Sequence, residues 1–145
     1  MKVVIQRVNS ASVEVDSKVV GSINKGLLIF VGISKNYSEN KLDYVIRKIL
    51  NLRLWASEKK GFDLNIQDVG GEILVVSQFT LFSNCYEGNK PKFNDAAEKD
   101  LAKKVYEQFV SKLKESGIKV ETGKFAAMMK VRLENDGPVT IILEK

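Results

Sequence analysis

Ile73-Leu74-Val75-Val76-Ser77-Gln78-Phe79-Thr80-Leu81 is the stretch on which the reading of the fold turns. Its first four residues are apolar without alternation, the pattern of a strand buried on both faces. Gly70-Gly71 marks the turn before it. The strand then opens into hydroxyl and amide side chains at its C-terminal end, where open α/β sheets bind ligands. Ser77 and Thr80 offer hydroxyls, Gln78 an amide, and the main chain offers consecutive N–H donors of the kind that stabilise an oxyanion. The structural reading of the same groups is a strand end whose hydroxyls satisfy a turn.

Working outward, Leu27 to Ile33 is apolar except for Gly32 and reads as a second central strand. Val3–Val8, Ser12–Val15 and Val19–Ile23 read as three shorter strands, the last two a hairpin about Asp16-Ser17-Lys18. Ser38 is a helix N-cap candidate, followed by Leu42, Val45, Ile46, Ile49 and Leu50 at helical spacing. Asn51 to Trp55 reads as a short strand, Ser57 to Gln67 as a loop or small hairpin, and Ser83 to Phe93 as a polar loop. Ala96 to Ser116 is the second helix, with Ala97, Leu101, Val105, Phe109 and Leu113 as its stripe and Gly117 at C′. Lys119–Thr122, Val131–Glu134 and Val139–Leu143 are the remaining strands, the last two joined by a turn at Asn135-Asp136-Gly137-Pro138. Strands before, between and after two helices make a mixed α/β fold. A chain of 145 residues with no linker or repeat makes residues 1–145 one domain.

Composition removes whole classes of chemistry. The chain has no histidine, so triads and dyads built on an imidazole base are impossible. Its one cysteine, Cys85, allows neither an internal disulfide nor a Cys/His zinc site. Carboxylate sites for magnesium or calcium stay open. Lys and Arg number 23 against 18 Asp and Glu, a formal charge of +5 that suits a polyanion as well as an ordinary solvated surface. The longest apolar run, Leu27 to Val31, is too short to span a bilayer, and the N-terminus does not read as a signal peptide. The expected location is cytoplasmic, without a membrane partner.

Two further segments have functional readings. Asn135-Asp136-Gly137-Pro138-Val139-Thr140 is a turn or, with a cis Gly-Pro bond, a rigid pair of carbonyls able to read one face of a substrate. Phe125-Ala126-Ala127-Met128-Met129 lines a pocket or fills core. Cys85 has no evident activating group and reads as incidental.

Val4-Ile5-Gln6-Arg7-Val8, Gly26-Leu27-Leu28, Val75 to Leu81, Gly88 to Phe93, Thr122 to Ala127 and Asn135 to Thr140 occur in an order that resembles the D-aminoacyl-tRNA deacylases of the bacterial and eukaryotic type, end to end. The resemblance implies a mixed α/β domain with barrel-like sheets and two main helices. It implies hydrolysis of the ester of D-aminoacyl-tRNA, and of mischarged glycyl-tRNA, without metal or cofactor. It implies a homodimer in which Ser77, Gln78, Phe79 and Thr80 line the pocket of one subunit. Gly137 and Pro138 reach in from the partner to exclude L-amino acids, Met129 lies beside the aminoacyl group, and Arg7 lies near the Gly-Pro motif. D-aminoacyl-tRNA is then the partner, and DNA is not. The chain departs from the family's usual pattern at Asn84-Cys85, Lys90 and Met128. The alternative reading is a tRNA-binding module without chemistry, which the charge permits.

Overall fold

The computed structural model describes residues 1–145 as six strands and two helices. The strands are β1 (Lys2–Val15), β2 (Lys18–Ile23), β3 (Gly26–Gly32), β4 (Glu72–Ser77), β5 (Val120–Thr122) and β6 (Lys130–Glu144). The helices are α1 (Glu39–Asn51) and α2 (Lys99–Lys114). Parallel neighbours need a long crossover. Here α1 joins β3 to β4 and α2 joins β4 to β5, and both pairs are parallel. β1 pairs antiparallel with β3, β2 and β6. The order β2-β1-β3-β4-β5 curls until its ends approach, where a Cβ on Gly21 of β2 would collide with the Thr122 carbonyl of β5. The sheet is thus nearly closed and barrel-like, with β6 as its sixth strand, off that path and paired along the other edge of β1.

β3 and β4 are buried on both faces, as their unbroken apolar sequences require. Leu27, Ile29, Val31, Ile73 and Val75 face a core of 22 buried residues that includes the inner stripes of both helices. Leu28, Leu74 and Val76 face a second core of 8, closed by Val8, Ala11, Val13, Val15 and Ile23. Each buried Leu or Ile contributes about 1.5–3 kcal/mol relative to exposure, so β4 is anchored from two sides.

Five expectations are corrected. Val3–Val8 and Ser12–Val15 are one strand, β1, with irregular pairing to β6 between Gln6 and Ser10. Its buried positions run Val3, Ile5, Val8, Ala11, Val13, Val15, and the two steps of three carry the strand from the first core to the second. Asn51 to Trp55 is not a strand. Asn51 ends α1 and its amide donates to the Arg47 carbonyl at 2.8 Å, leaving Trp55 a lone bridge to Leu64. In α2, Val105, Phe109 and Leu113 are buried but Leu101 is 38% exposed. Steps of four overshoot the helical turn by about 40° each, so the stripe rotates off the core and Tyr106 joins it instead. The helix also stops earlier than read, with Glu115 as C-cap and Gly117, at φ +79°, two residues beyond it. Finally, Val131–Glu134 and Val139–Leu143 are not hairpin partners but parts of β6, both paired to β1.

Candidate active site

Ser77 closes β4 opposite Val31 of β3, and the Gln78 N–H donates to the Val31 carbonyl at 2.8 Å. The chain then leaves the sheet as a single 3₁₀ turn, Phe79–Phe82. Leu81 donates within that turn to the Gln78 carbonyl, so the N–H groups of Phe79 and Thr80, at its start, stand outside its own hydrogen bonds. Both residues are exposed, Phe79 to 54%. The Gln78 amide donates to Thr80 Oγ. That bond occupies a lone pair of the hydroxyl and supplies no base to it.

Behind the turn, β4 is fixed by a group the sequence pattern did not single out. The Val75 carbonyl accepts from Tyr106 Oη and from the Gly123 N–H, each at 3.0 Å. Burial pushes the Tyr106 hydroxyl well above its ordinary range, so it remains a donor. Phe93 was also missed. Its ring meets Phe79 edge-on at 4.9 Å and seats the end of the Ser83–Phe93 loop against the turn. Met129 and Ala127 pack on the second core, whose members include Val76, the residue before Ser77. Met129 Sδ fills the space a side chain on Gly123 would need. Met128, by contrast, points into solvent at 93% exposure.

Gly137 and Pro138 sit elsewhere. β6 pairs Asn135 with Val8 and Thr140 with Gln6, so four of its residues, Asp136–Val139, arch over the single residue Arg7. The Asn135 side chain clamps the arch by accepting the Val139 N–H at 2.8 Å. Arg7 fills it from below. Its Nε lies 3.1 Å from the Asp136 carbonyl oxygen and 3.0 Å from Oδ2 of the same residue, and its Nη1 donates to the Leu54 carbonyl. The Gly137–Pro138 bond is cis, both residues are exposed, and Gly137 holds φ +131°, a region that side chains disfavour. Asn, Asp, Gly and Pro serve turns and arches alike, and the sequence had no local sign that both flanks pair with β1.

The fold therefore brings Ser77, Gln78, Phe79 and Thr80 together, with Met129 on the adjoining core, and sets Gly137, Pro138 and Arg7 apart as a second group. Measured along the sheet, β6 lies three strand spacings from β4, roughly 14 Å. The arch lies four β1 residues from the level of Ser77, roughly 13 Å further along. Along the sheet the two groups of one chain are thus separated both across the strands and along them. No cluster of three or more His, Cys, Asp or Glu is placed to hold a metal ion, and no helix is long and apolar enough to cross a membrane.

Residues 4–144 match the family model described as D-Tyr-tRNA(Tyr) deacylase. The chain is 52% identical over 145 residues to a D-aminoacyl-tRNA deacylase of Thermosipho melanesiensis, covering 99% of this chain and 97% of the relative. It is 54% identical over 144 residues to one of Aquifex aeolicus, with the same coverage of each. Among solved structures it superposes on the c-Myc DNA Unwinding Element Binding Protein with a TM-score of 0.94 at 40% identity, over 100% of this chain and 99% of that one. It also superposes on a probable eukaryotic D-amino acid tRNA deacylase with a TM-score of 0.86 at 16% identity, over 98% and 97%, a likeness of fold.

Proposed function

Because the chain belongs to the D-Tyr-tRNA(Tyr) deacylase family, we propose that it hydrolyses the ester of D-aminoacyl-tRNA by main-chain stabilisation of the oxyanion at Phe79 and Thr80. The observation that carries this reading is the turn at the end of β4, where both N–H groups stand at an exposed strand end with no titratable side chain beside them in the segment. A water oxygen adds to the ester carbonyl carbon, and the negative charge that develops on the carbonyl oxygen is met by the two donors. The C–O bond to the ribose then breaks, one of the water's protons passes to the ribose oxygen, the other is released to solvent, and the amino acid leaves as its carboxylate. Donors fixed before the charge forms stabilise it without reorganising. Thr80 does not serve as nucleophile in this scheme, since its hydroxyl accepts from Gln78 and the chain has no imidazole to deprotonate it.

The active unit is a homodimer. Ser77–Thr80 and the Gly137–Pro138 arch are separated along the sheet of one chain, and a second copy supplies the arch. Its exposed carbonyls then exclude L-amino acids sterically, while D-amino acids and glycine fit. Charged tRNA as substrate places the work in the cytoplasm. The test is paired hydrolysis of D-Tyr-tRNA and L-Tyr-tRNA by the purified protein with a chelator present. Loss of the D-ester alone supports the reading. Survival of both esters and of glycyl-tRNA leaves a tRNA-binding module without chemistry. The shared site has its own test, in which a Phe79→Pro chain is mixed with a Gly137→Val chain. The mixed dimer is expected to hydrolyse the D-ester alone if the arch acts across the interface, since its one intact oxyanion site then faces the intact arch, and to accept both esters, as the Gly137→Val homodimer does, if each chain is self-contained.

A further inference from the structure

We propose that the Ser83–Phe93 loop is a stacking platform for the single-stranded 3′ end of the RNA, with the Tyr86 ring taking a nucleobase and Lys90 the adjoining phosphate. This rests on the aminoacyl-tRNA reading above and names a contact which that reading leaves open. Tyr86 is 98% exposed, the most solvent-facing large apolar side chain in the molecule, and its hydroxyl has no partner. The loop that carries it is nevertheless built. Asn84 and Lys92 exchange two main-chain hydrogen bonds, at 2.7 and 3.0 Å. Asn84 Oδ1 accepts the Tyr86 N–H at 3.0 Å, and Lys92 Nζ holds Glu87 at 2.6 Å. The chain just beyond the far arm is tied to the segment that follows β3, where Lys35 Nζ reaches the Asn94 carbonyl and the Asp95 carboxylate, each at 3.0 Å. Phe93 seats the loop on Phe79, beside the oxyanion donors.

Ser83 to Lys90, the segment that carries Tyr86, are all exposed and mostly polar, so the segment itself makes no apolar patch of the kind that marks a protein interface. Glu87 is neutralised by Lys92, whereas Lys90, on the opposite arm from Tyr86, has no ion-pair partner. A lone aromatic face and a free cation on one loop are the chemistry that binds unpaired bases, which offer a ring to stack and a phosphate to pair. The loop's attachment to Phe79 puts that platform where RNA leading to the scissile ester must pass.

The test uses the full chain and an uncharged RNA hairpin with a single-stranded 3′ overhang, beside the same hairpin with a blunt end. Tyr86→Ala is expected to weaken overhang binding about tenfold, and Tyr86→Trp to restore it. Neither change should move binding of the blunt hairpin. Lys90→Ala is expected to flatten the dependence of log Kd on log salt by about 0.7, one single-strand phosphate contact. Equal overhang affinity for Tyr86→Ala and the unaltered protein overturns the proposal, as does a Tyr86→Ala variant whose only defect is loss of self-association in sedimentation. Because the RNA carries no aminoacyl ester, these outcomes are independent of whether D-Tyr-tRNA is hydrolysed.

Discussion

The end of β4 and the arch in β6 are both short exposed segments, yet they are held by opposite means. Ser77 to Thr80 extend from a strand packed on two cores, so main-chain pairing and apolar burial fix where their N–H groups point. Asp136 to Val139 depart from an edge strand, and side chains hold them there. Arg7 braces them from below and Asn135 clamps across. The difference teaches where each segment is vulnerable. The first can lose any exposed side chain and keep its geometry. The second depends on two polar side chains and has little apolar burial beneath it beyond Val139.

The largest effect tests the first half of that contrast. Phe79→Pro deletes one N–H at the opening position of the turn, where proline is tolerated, and Gln78 before it, at φ −143° and ψ 86°, lies outside the helical region that a following proline disfavours. The expected result is a fall in kcat of about 10²–10³ with little change in Tm, the cost of one oxyanion donor. Phe79→Ala keeps the N–H and controls for the lost contact with Phe93. Thr80→Ala is expected to stay within a few-fold of the unaltered kcat. A collapse for Thr80→Ala equal to that for Phe79→Pro would move the chemistry from the main chain to the hydroxyl.

The second half of the contrast is tested by stability. Arg7 has a side chain only 15% exposed and Asp136 one that is 38% exposed, so Arg7→Ala strands a carboxylate and the Leu54 carbonyl in part-buried surroundings. Removing one member of a buried pair costs about 3–5 kcal/mol, and the solvent reaching Asp136 brings the expected loss to about 2 kcal/mol in urea unfolding. Asn135→Ala removes the clamp alone and is expected to cost about 1 kcal/mol. The two losses should not add, because both residues hold one arch. Simple additivity would mean that the arch keeps its shape without either.

The same contrast explains what could be read in the sequence. Unbroken apolar runs identified β3 and β4, and helical spacing identified α1 and α2, because burial leaves a local periodicity. Ser77–Thr80 were legible as a strand end for that reason. The arch was not, because its turn-like residues say nothing about which strand lies on either side, and the deciding fact is the pairing of Val8 with Asn135 and Gln6 with Thr140. The continuity of β1 was hidden likewise, since two irregular steps interrupt its alternation. Leu101 was misplaced because a four-residue repeat drifts around a helix, and Phe93 was missed because nothing in its polar loop marks an aromatic partner 14 positions earlier. Motif resemblance supplied Gly137, Pro138, Met129 and Arg7, which periodicity alone did not.

The smallest effect lies at the other end of β4. Glu72 Oε2 accepts the Asn24 N–H at 2.9 Å and pairs with Lys119 Nζ at 3.1 Å, tying the turn between β2 and β3 to the approach to β5. The Asn24 N–H, and secondarily Lys119, hold its carboxyl below the usual 4.5 in spite of some desolvation. A carboxylate whose folded value is depressed adds stability that is present above the unfolded value and is lost as pH falls through the folded one. Stability measured by urea should therefore carry a Glu72 contribution at neutral pH that fades below about pH 4.5, and Lys119 is half exposed, so the contribution is about 0.5 kcal/mol. Glu72→Gln keeps an acceptor for Asn24 but cannot titrate, so the gap between it and the unaltered protein should close as the solution is acidified. If main-chain pairing and two cores are what fix Ser77 to Thr80, the same substitution leaves kcat at neutral pH unchanged. A drop in kcat with Glu72→Gln would show that the strand transmits a disturbance from one end to the other, and the stiffness attributed to β4 would be wrong.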